Sequence, residues 1–411
     1  MRRHKQLSKN SNWIEAGTVT SPKKFLAGAT YCGIRTYTED KLDLGILFSE
    51  TPCTVAGTFT QNKVKSPSVV LDQQRVANKS AQAIVINSGI ANTSVGEQGM
   101  KDAIEMADIA ALHLGIDPSL VLPSSTGLIG VELPMALIRS GVSNIQLSPD
   151  GGYALARAIR TTDTISKEGA ISFTIQGNDY TIGGIAKGSG MVHPNMATML
   201  AFLATDAPVD SSYLQYCLSK AVNSTFNMVS IDGDTSTNDT VLLLANGAGG
   251  GTSISDKTED RHVFEDAVQE LSKFLAKEIA RDGEGADKLI EVNIDGALTE
   301  EDARLAAKSI ASSILVKSAV HGGDPNWGRI VVALGYSGAE VREDLVALYI
   351  NEVCIMEEGR PIPFFKDAVV ATMNQPEIDI TVNLNLGEHS ATAWGCDITE
   401  EYVTFNSAYT T

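Results

Sequence analysis

The sequence predicts a layered α/β (α+β) protein, a sandwich of sheets flanked by helices, and neither a Rossmann sheet nor a TIM barrel. Short β-rich runs and helix-period stretches follow one another without the regular strand–helix–strand beat of a parallel sheet. Hydrophobic residues make up 43% of the 411 positions but aromatics only 6%, so the core is built from Ala, Val, Ile and Leu. Thirty-six glycines imply many tight turns.

In chain order, residues 1–20 read as a lead-in. Leu42–Phe48 and Ala81–Asn87 read as strands, the latter through Ala83-Ile-Val-Ile86. Gln98–Leu114 has helical spacing, with Met100, Ile104, Ala107, Ala111 and Leu114 on one face. Leu120–Leu122 is a short strand that meets the turn Pro123-Ser-Ser-Thr-Gly127. Residues 171–186 form a hairpin with Gly177-Asn-Asp179 at its tip. An apolar run, Met199–Ala204, precedes a helix over 211–222, and Asn246-Gly-Ala-Gly-Gly-Gly251 is the clearest flexible stretch. His262–Ile279 is amphipathic, with Phe264, Ala267, Val268, Leu271, Phe274, Leu275 and Ile279 in its stripe. A strand, Leu289–Ile294, then leads to a helix opened by the capping pattern Thr299-Glu-Glu-Asp302.

The formal charge of −18, from 32 basic and 50 acidic residues, argues against nonspecific binding to nucleic acid or an anionic membrane. It leaves room for a local cationic pocket. Cys32, Cys53, Cys217, Cys354 and Cys396 are scattered, without a CxxC pair, so no disulfide framework or structural metal site is expected. The basic N-terminus lacks an apolar h-region, and no apolar run approaches the ~20 residues that span a bilayer, so a cytoplasmic protein is expected.

Local motifs are weak taken singly. Gly183-Gly-Ile-Ala-Lys-Gly-Ser-Gly190 lacks the order of a phosphate loop. Asp232-Gly-Asp-Thr-Ser-Thr-Asn-Asp239 has Thr237 where a calcium loop needs glycine, and Leu243 where it needs Glu; a polar turn is the better reading. His321-Gly-Gly-Asp-Pro-Asn-Trp-Gly-Arg329 fits a structural turn or a cleft loop equally. Thr126-Gly127 suits an oxyanion site at a helix N-terminus, though an ordinary cap is the plainer reading. Thr198, after the small Ala197, is a candidate nucleophile, yet by pattern alone it is a buried threonine in an apolar strand. His193 is near enough in sequence to be a base, but spacing fixes no geometry.

An ordered set of longer matches changes this. Ala81-Gln-Ala-Ile-Val-Ile-Asn-Ser-Gly89, Gly96-Glu-Gln-Gly99, Ser125-Thr-Gly127, Thr161-Thr-Asp-Thr164, Lys187-Gly-Ser-Gly-Met191 and Pro194-Asn-Met-Ala-Thr-Met-Leu200 are followed by Gly283-Glu-Gly285, Gly323-Asp-Pro-Asn-Trp-Gly-Arg-Ile330 and Asn406-Ser-Ala-Tyr-Thr-Thr411. With these, the chain resembles, over nearly its whole length, the ornithine acetyltransferases of arginine biosynthesis, the bifunctional glutamate N-acetyltransferase family.

The resemblance implies self-cleavage between Ala197 and Thr198 into fragments 1–197 and 198–411, which form one intertwined catalytic unit. It implies an N-terminal-nucleophile-like mechanism in which Thr198 carries the acetyl group. Thr126 and Gly127 match the oxyanion pair; Thr161 or its neighbour Thr162, Lys187, Thr198, Glu284, Asn406 and Thr411 match substrate contacts. The implied partners are N2-acetyl-L-ornithine and L-glutamate, with no bound cofactor or metal and acetyl-CoA left open as a second acetyl source. Two copies of each fragment are expected to assemble. A self-processing amidase or aminopeptidase is the alternative. Two positions depart from the family pattern: Ile90 stands where Asn is expected, and Asp287 where Thr is expected.

Overall fold

The computed structural model describes residues 11–35, 41–193, 199–363 and 366–408. Its strands form two mixed sheets with helices packed on them, the layered class the sequence predicts. The larger sheet has nine strands among the described residues. They run in the order Ser11–Trp13, Lys167–Ile175, Asn178–Lys187, Leu200–Thr205, Thr240–Ala245, Leu44–Phe59, Ser80–Ile90 and Val121–Leu128, with Phe25–Thr30 also on Leu44–Phe59. The smaller sheet has seven, with Leu289–Ala297 parallel to Glu377–Asn383 and antiparallel to His389–Cys396.

The middle of the larger sheet is covered on both faces. All six residues of Leu200–Thr205 and of Thr240–Ala245 are buried. The two strands pair in parallel, with Leu200 opposite Thr240. Ala201, Leu203, Val241 and Leu243 enter one core; Leu200, Phe202, Ala204, Leu242 and Leu244 enter another. A strand buried on both faces reads as a continuous apolar run, which is why 199–204 shows no period of two in the sequence. Asn178–Lys187 lies antiparallel to Leu200–Thr205, Lys187 opposite Leu200. Strands on either side of position 198 are thus neighbours in one sheet.

The helix His262–Arg281 carries the expected stripe. Phe264, Val268, Leu271 and Leu275 are fully buried, and each contributes about 1.5–3 kcal/mol relative to exposure. The Phe264 ring lies 5.9 Å from that of Phe173. The helix touches strands of both sheets, so their apolar residues merge into one core. Thr299 caps the next helix, Glu300–Ser312: its hydroxyl accepts from the Asp302 N–H at 3.0 Å. No described helix is long and apolar enough to cross a membrane.

Two local expectations are corrected. The hairpin tip is Gln176-Gly177, both at positive φ (50° and 77°), because Ile175 already pairs with Asn178. That is a two-residue hairpin connection, whose twist matches the strands it joins. Thr126 and Gly127 are not at a helix N-terminus. Val121–Leu128 continues as a strand through both, and the next helix is Met135–Asn144. Pairing with Ser80–Ile90 supplies the backbone partners that a cap would have had to provide, and Ser124 and Ser125 are buried within that pairing.

Candidate active site

A cavity of about 160 Å³ opens where the larger sheet meets the Gly283–Glu284 turn and the C-terminal helix, Glu400–Ala408. Thr126, Gly127, Thr161, Thr162, Lys187, Glu284 and Asn406 all line it. These are the expected site residues within the described part of the chain; Ala197, Thr198 and Thr411 lie outside the described residues. Met199, the residue after Thr198, is part of the lining.

One wall is neutral and close-packed. Gly89 sits opposite Gly127, and the register shifts between Gly89 and Ile90. Gly127 has φ +131°, a conformation that L side chains rarely adopt. A Cβ there would lie 2.2 Å from the Gly89 carbonyl carbon and 2.6 Å from the Ile90 nitrogen. The glycine is therefore required twice over, by its dihedral and by the neighbouring backbone. Ile90 is itself buried among apolar side chains and is not part of the lining, so the departure at this position adds to the core.

A second wall is charged. Lys187 is buried; its Nζ donates to Thr161 Oγ1 at 2.7 Å and lies 4.0 Å from the Asp163 carboxylate. Burial pushes the Lys187 ammonium below its ordinary pKa, with Asp163 working against that. Asp163 also accepts from Lys167 Nζ at 2.7 Å, from the Gly188 N–H at 2.7 Å and from the Thr161 N–H at 3.0 Å. Burial alone would raise its carboxyl; Lys167 and Lys187 overcome this and hold it well below the usual carboxylate range. Lys167 bridges onward to Asp282 at 2.6 Å, two residues before Glu284.

Thr162 Oγ1 shares a 2.6 Å hydrogen bond with Ser189 Oγ, so both threonines of the pair face the site by different routes. The Glu284 N–H donates to the Ser189 carbonyl at 2.8 Å, and the Asn406 amide donates to Glu284 Oε2 at 2.9 Å. Gly190 leaves the space this carboxylate fills: a Cβ there would lie 2.3 Å from Glu284 Oε1. Asp287 is exposed and outside the lining; its N–H is held by Asp397 at 2.9 Å.

His193 is not part of the lining. Its Nδ1 is 2.9 Å from Ser230 Oγ, and burial, with Lys308 and Lys317 nearby, pushes its pKa down to about 4. The stretch 321–329 does not reach the cavity either; it joins two helices, Ile314–His321 and Trp327–Gly335. Sequence reasoning passes over Asp163, Lys167 and Asp282, and over Ser236–Asp239, which also line or support the cavity. The only signal for the last group is that a dense polar run leads straight into the buried strand Thr240–Ala245.

Such a site, with close-packed donors facing a buried ammonium and a carboxylate, suits acyl transfer between small amino-acid substrates. The comparisons agree on that class: this is an acyltransferase of arginine biosynthesis. The chain belongs to the ArgJ family, whose model matches residues 26–411. It is 48% identical over 395 residues to the arginine biosynthesis bifunctional protein ArgJ of Dehalococcoides mccartyi (strain CBDB1), covering 96% of this chain and 98% of that one. The crystal structure of the Bacillus halodurans arginine biosynthesis bifunctional protein is 43% identical, with a TM-score of 0.51, over 52% of this chain and 100% of that one. The ornithine acetyltransferase of Mycobacterium tuberculosis, solved with ornithine, is 34% identical, with a TM-score of 0.42, over 46% of this chain and 99% of that one.

Proposed function

We propose that the enzyme moves the acetyl group of N2-acetyl-L-ornithine to L-glutamate through an acetyl-Thr198 intermediate, after self-cleavage between Ala197 and Thr198. The observation that carries this is convergence. Residues expected from the stretches 125–127, 161–164, 187–191, 283–285 and 406–411 line one cavity, and Met199 lines it too. The Bacillus halodurans chain matches 52% of this one over its full length, as a fragment of a cleaved precursor would.

Before cleavage, the Thr198 hydroxyl attacks the Ala197 carbonyl carbon. The acyl group shifts from nitrogen to oxygen, and water hydrolyses the ester. The freed α-amine has an ordinary pKa of about 7.7–8.0 and takes the hydroxyl proton in later turnovers. Thr198 Oγ then adds to the acetyl carbonyl of the donor. The Thr126 hydroxyl and Gly127 N–H stabilise the oxyanion, each such donor lowering the barrier by roughly 2.7–4 kcal/mol. Collapse releases ornithine, and the glutamate amine takes the acetyl group from Thr198 in the second half-reaction. Lys187 is the counter-charge for the α-carboxylate that both substrates share. Glu284, held by Asn406, faces the ornithine ammonium, and Thr411 completes that end. Acetyl-CoA serves as a second donor, no cofactor stays bound, two copies of each fragment assemble, and the enzyme works in the cytoplasm.

Intact-mass measurement of purified wild-type protein and Thr198→Ala tests the reading. The wild type should give two fragments that meet at 197/198, and the variant one species at 43.6 kDa without acetyl transfer. An uncut wild type with full activity would overturn it. Acetylornithine hydrolysis at a rate indifferent to glutamate would replace the transferase with an amidase.

A further inference from the structure

The run Asp232–Asp239 reads in sequence as a polar turn, but its end is not at the surface. Thr237, Asn238, Asp239 and Thr240 are all buried. The strand that follows pairs with the strand after the nucleophile, and the Thr240 N–H donates to the Met199 carbonyl at 3.1 Å. Asn238 is thus fixed by backbone pairing at the end of the sheet where the cavity opens.

Its side chain uses every hydrogen-bonding position it has. Nδ2 donates to the Ser125 carbonyl at 2.8 Å and to the Ala91 carbonyl at 2.6 Å. Oδ1 accepts from Thr93 Oγ1 at 2.8 Å and from Thr237 Oγ1 at 2.6 Å. Turning the amide over would set NH₂ against two hydroxyls and the oxygen against two carbonyls, so this network admits one orientation. A buried amide satisfied in this way is rigid, and it ties together three segments distant in sequence.

The two carbonyls it holds flank the proposed oxyanion site. The Ser125 carbonyl belongs to the same planar peptide as the Thr126 N–H, so fixing that oxygen fixes the plane from which Thr126 and Gly127 continue. Ala91 follows Ile90, whose nitrogen is one of the backbone atoms, with the Gly89 carbonyl, that leave no space for a Cβ at Gly127. The Ala91 carbonyl also accepts from Ser66 Oγ at 3.1 Å. Loss of the Asn238 amide would therefore be felt mainly on the Ser125 side.

We propose that Asn238 is the positioning residue of the oxyanion site: through the Ser125 carbonyl its side-chain amide sets the direction of the Thr126 hydroxyl and the Gly127 N–H. This rests on the reading of Thr126 and Gly127 as the oxyanion donors. Asn238 lines the cavity, but its amide is spent wholly on protein partners. Its contribution is to kcat, because a donor displaced by about an ångström serves the transition state poorly while the bound ground state is little changed.

The test compares Asn238→Ala, Thr126→Ala and the double variant, with the cleaved fraction of each determined by intact mass and kinetics referred to cleaved enzyme. Asn238→Ala should lower kcat roughly 10–100-fold with KM within about twofold, and should cost clearly less in a Thr126→Ala background than in wild type, because only the Gly127 N–H is then left to misplace. Multiplication of the two losses, or an unchanged kcat in Asn238→Ala, overturns the proposal and leaves the oxyanion reading standing. A silent Thr126→Ala removes both. Asn238→Asp keeps the size and the acceptor oxygen and serves if the alanine variant does not fold. Its carboxyl can donate to the Ser125 carbonyl only when protonated, so its kcat relative to wild type should recover as pH falls. A ratio independent of pH counts against the role.

Discussion

The two walls of the cavity hold their groups by different physics. The Thr126–Gly127 wall is neutral: a glycine at positive φ, a register shift, and a buried amide with all its bonds made. The Lys187 wall is ionic: Lys187, Asp163, Lys167 and Asp282 form a buried chain of alternating charge. A wall built from backbone geometry is intolerant of added volume and indifferent to pH. A wall built from buried charges tolerates small changes of shape but fails when a charge shared by two partners is removed, because a partner left behind stays unpaired in a low dielectric.

The largest effect should come from the ionic wall. Asp163→Asn leaves Lys187 without its nearest carboxylate and Lys167 with Asp282 alone. Breaking a buried pair in this way costs about 3–5 kcal/mol, measurable as a fall in Tm and in the denaturant midpoint. The sign with pH follows from a folded-state pKa held below the unfolded value of 3.8. The stabilisation is complete above that value and is lost as pH falls below it. Wild type should lose stability steeply below about pH 4, and Asp163→Asn should show a flatter profile over the same range. Parallel profiles would mean that Asp163 is not the group that carries the charge.

Gly127→Ala tests the neutral wall. The added Cβ meets backbone atoms at 2.2–2.6 Å, so the strand must shift and the oxyanion donors shift with it. A loss of roughly 10²–10³ in kcat is expected, with KM little altered and no new dependence on pH. A KM effect alone would place Gly127 in substrate binding and not in the oxyanion site.

The contrast between the walls also explains what the sequence could show. Long periodic elements were legible: 262–281 has a 3.6-residue stripe, and Thr299 a capping pattern, because both are set by residues near in sequence. The neutral wall was legible locally as a turn, and its pair Thr126 and Gly127 only through family resemblance, since nothing local says that Ser124, Ser125 and Thr126 pair with Ile86, Asn87 and Ser88. The ionic wall was legible as single residues, Lys187 and the threonine pair, through family resemblance. The Lys167–Asp282 bridge joins positions 115 apart, and no period or spacing encodes such a pair. Asn238 was hidden for the same reason. Its run is polar, and polarity in a sequence reads as solvent exposure until the topology shows what it is buried against.

Lys187→Met should have a smaller effect, and on KM. It keeps the length of the side chain and removes the ammonium proposed to meet the substrate carboxylate. A charged hydrogen bond of this kind contributes about 1.5–3 kcal/mol, or roughly 10–100-fold in KM. Both acetylornithine and glutamate should weaken alike, because both present an α-carboxylate; weakening of one alone would assign Lys187 to a different group.

The smallest effect belongs to the rim. Asn406 is exposed, and its single bond to the Glu284 carboxylate, 2.9 Å long, competes with water. Asn406→Ala should cost about 0.5–1.5 kcal/mol, a few-fold in KM. The loss should fall on acetylornithine, whose side-chain ammonium Glu284 is proposed to face, and spare glutamate, which has no ammonium at that end. This asymmetry separates a substrate role from a merely structural one. A loosened terminal helix would weaken both substrates together, whereas a misdirected Glu284 would weaken only the one that carries a second positive charge.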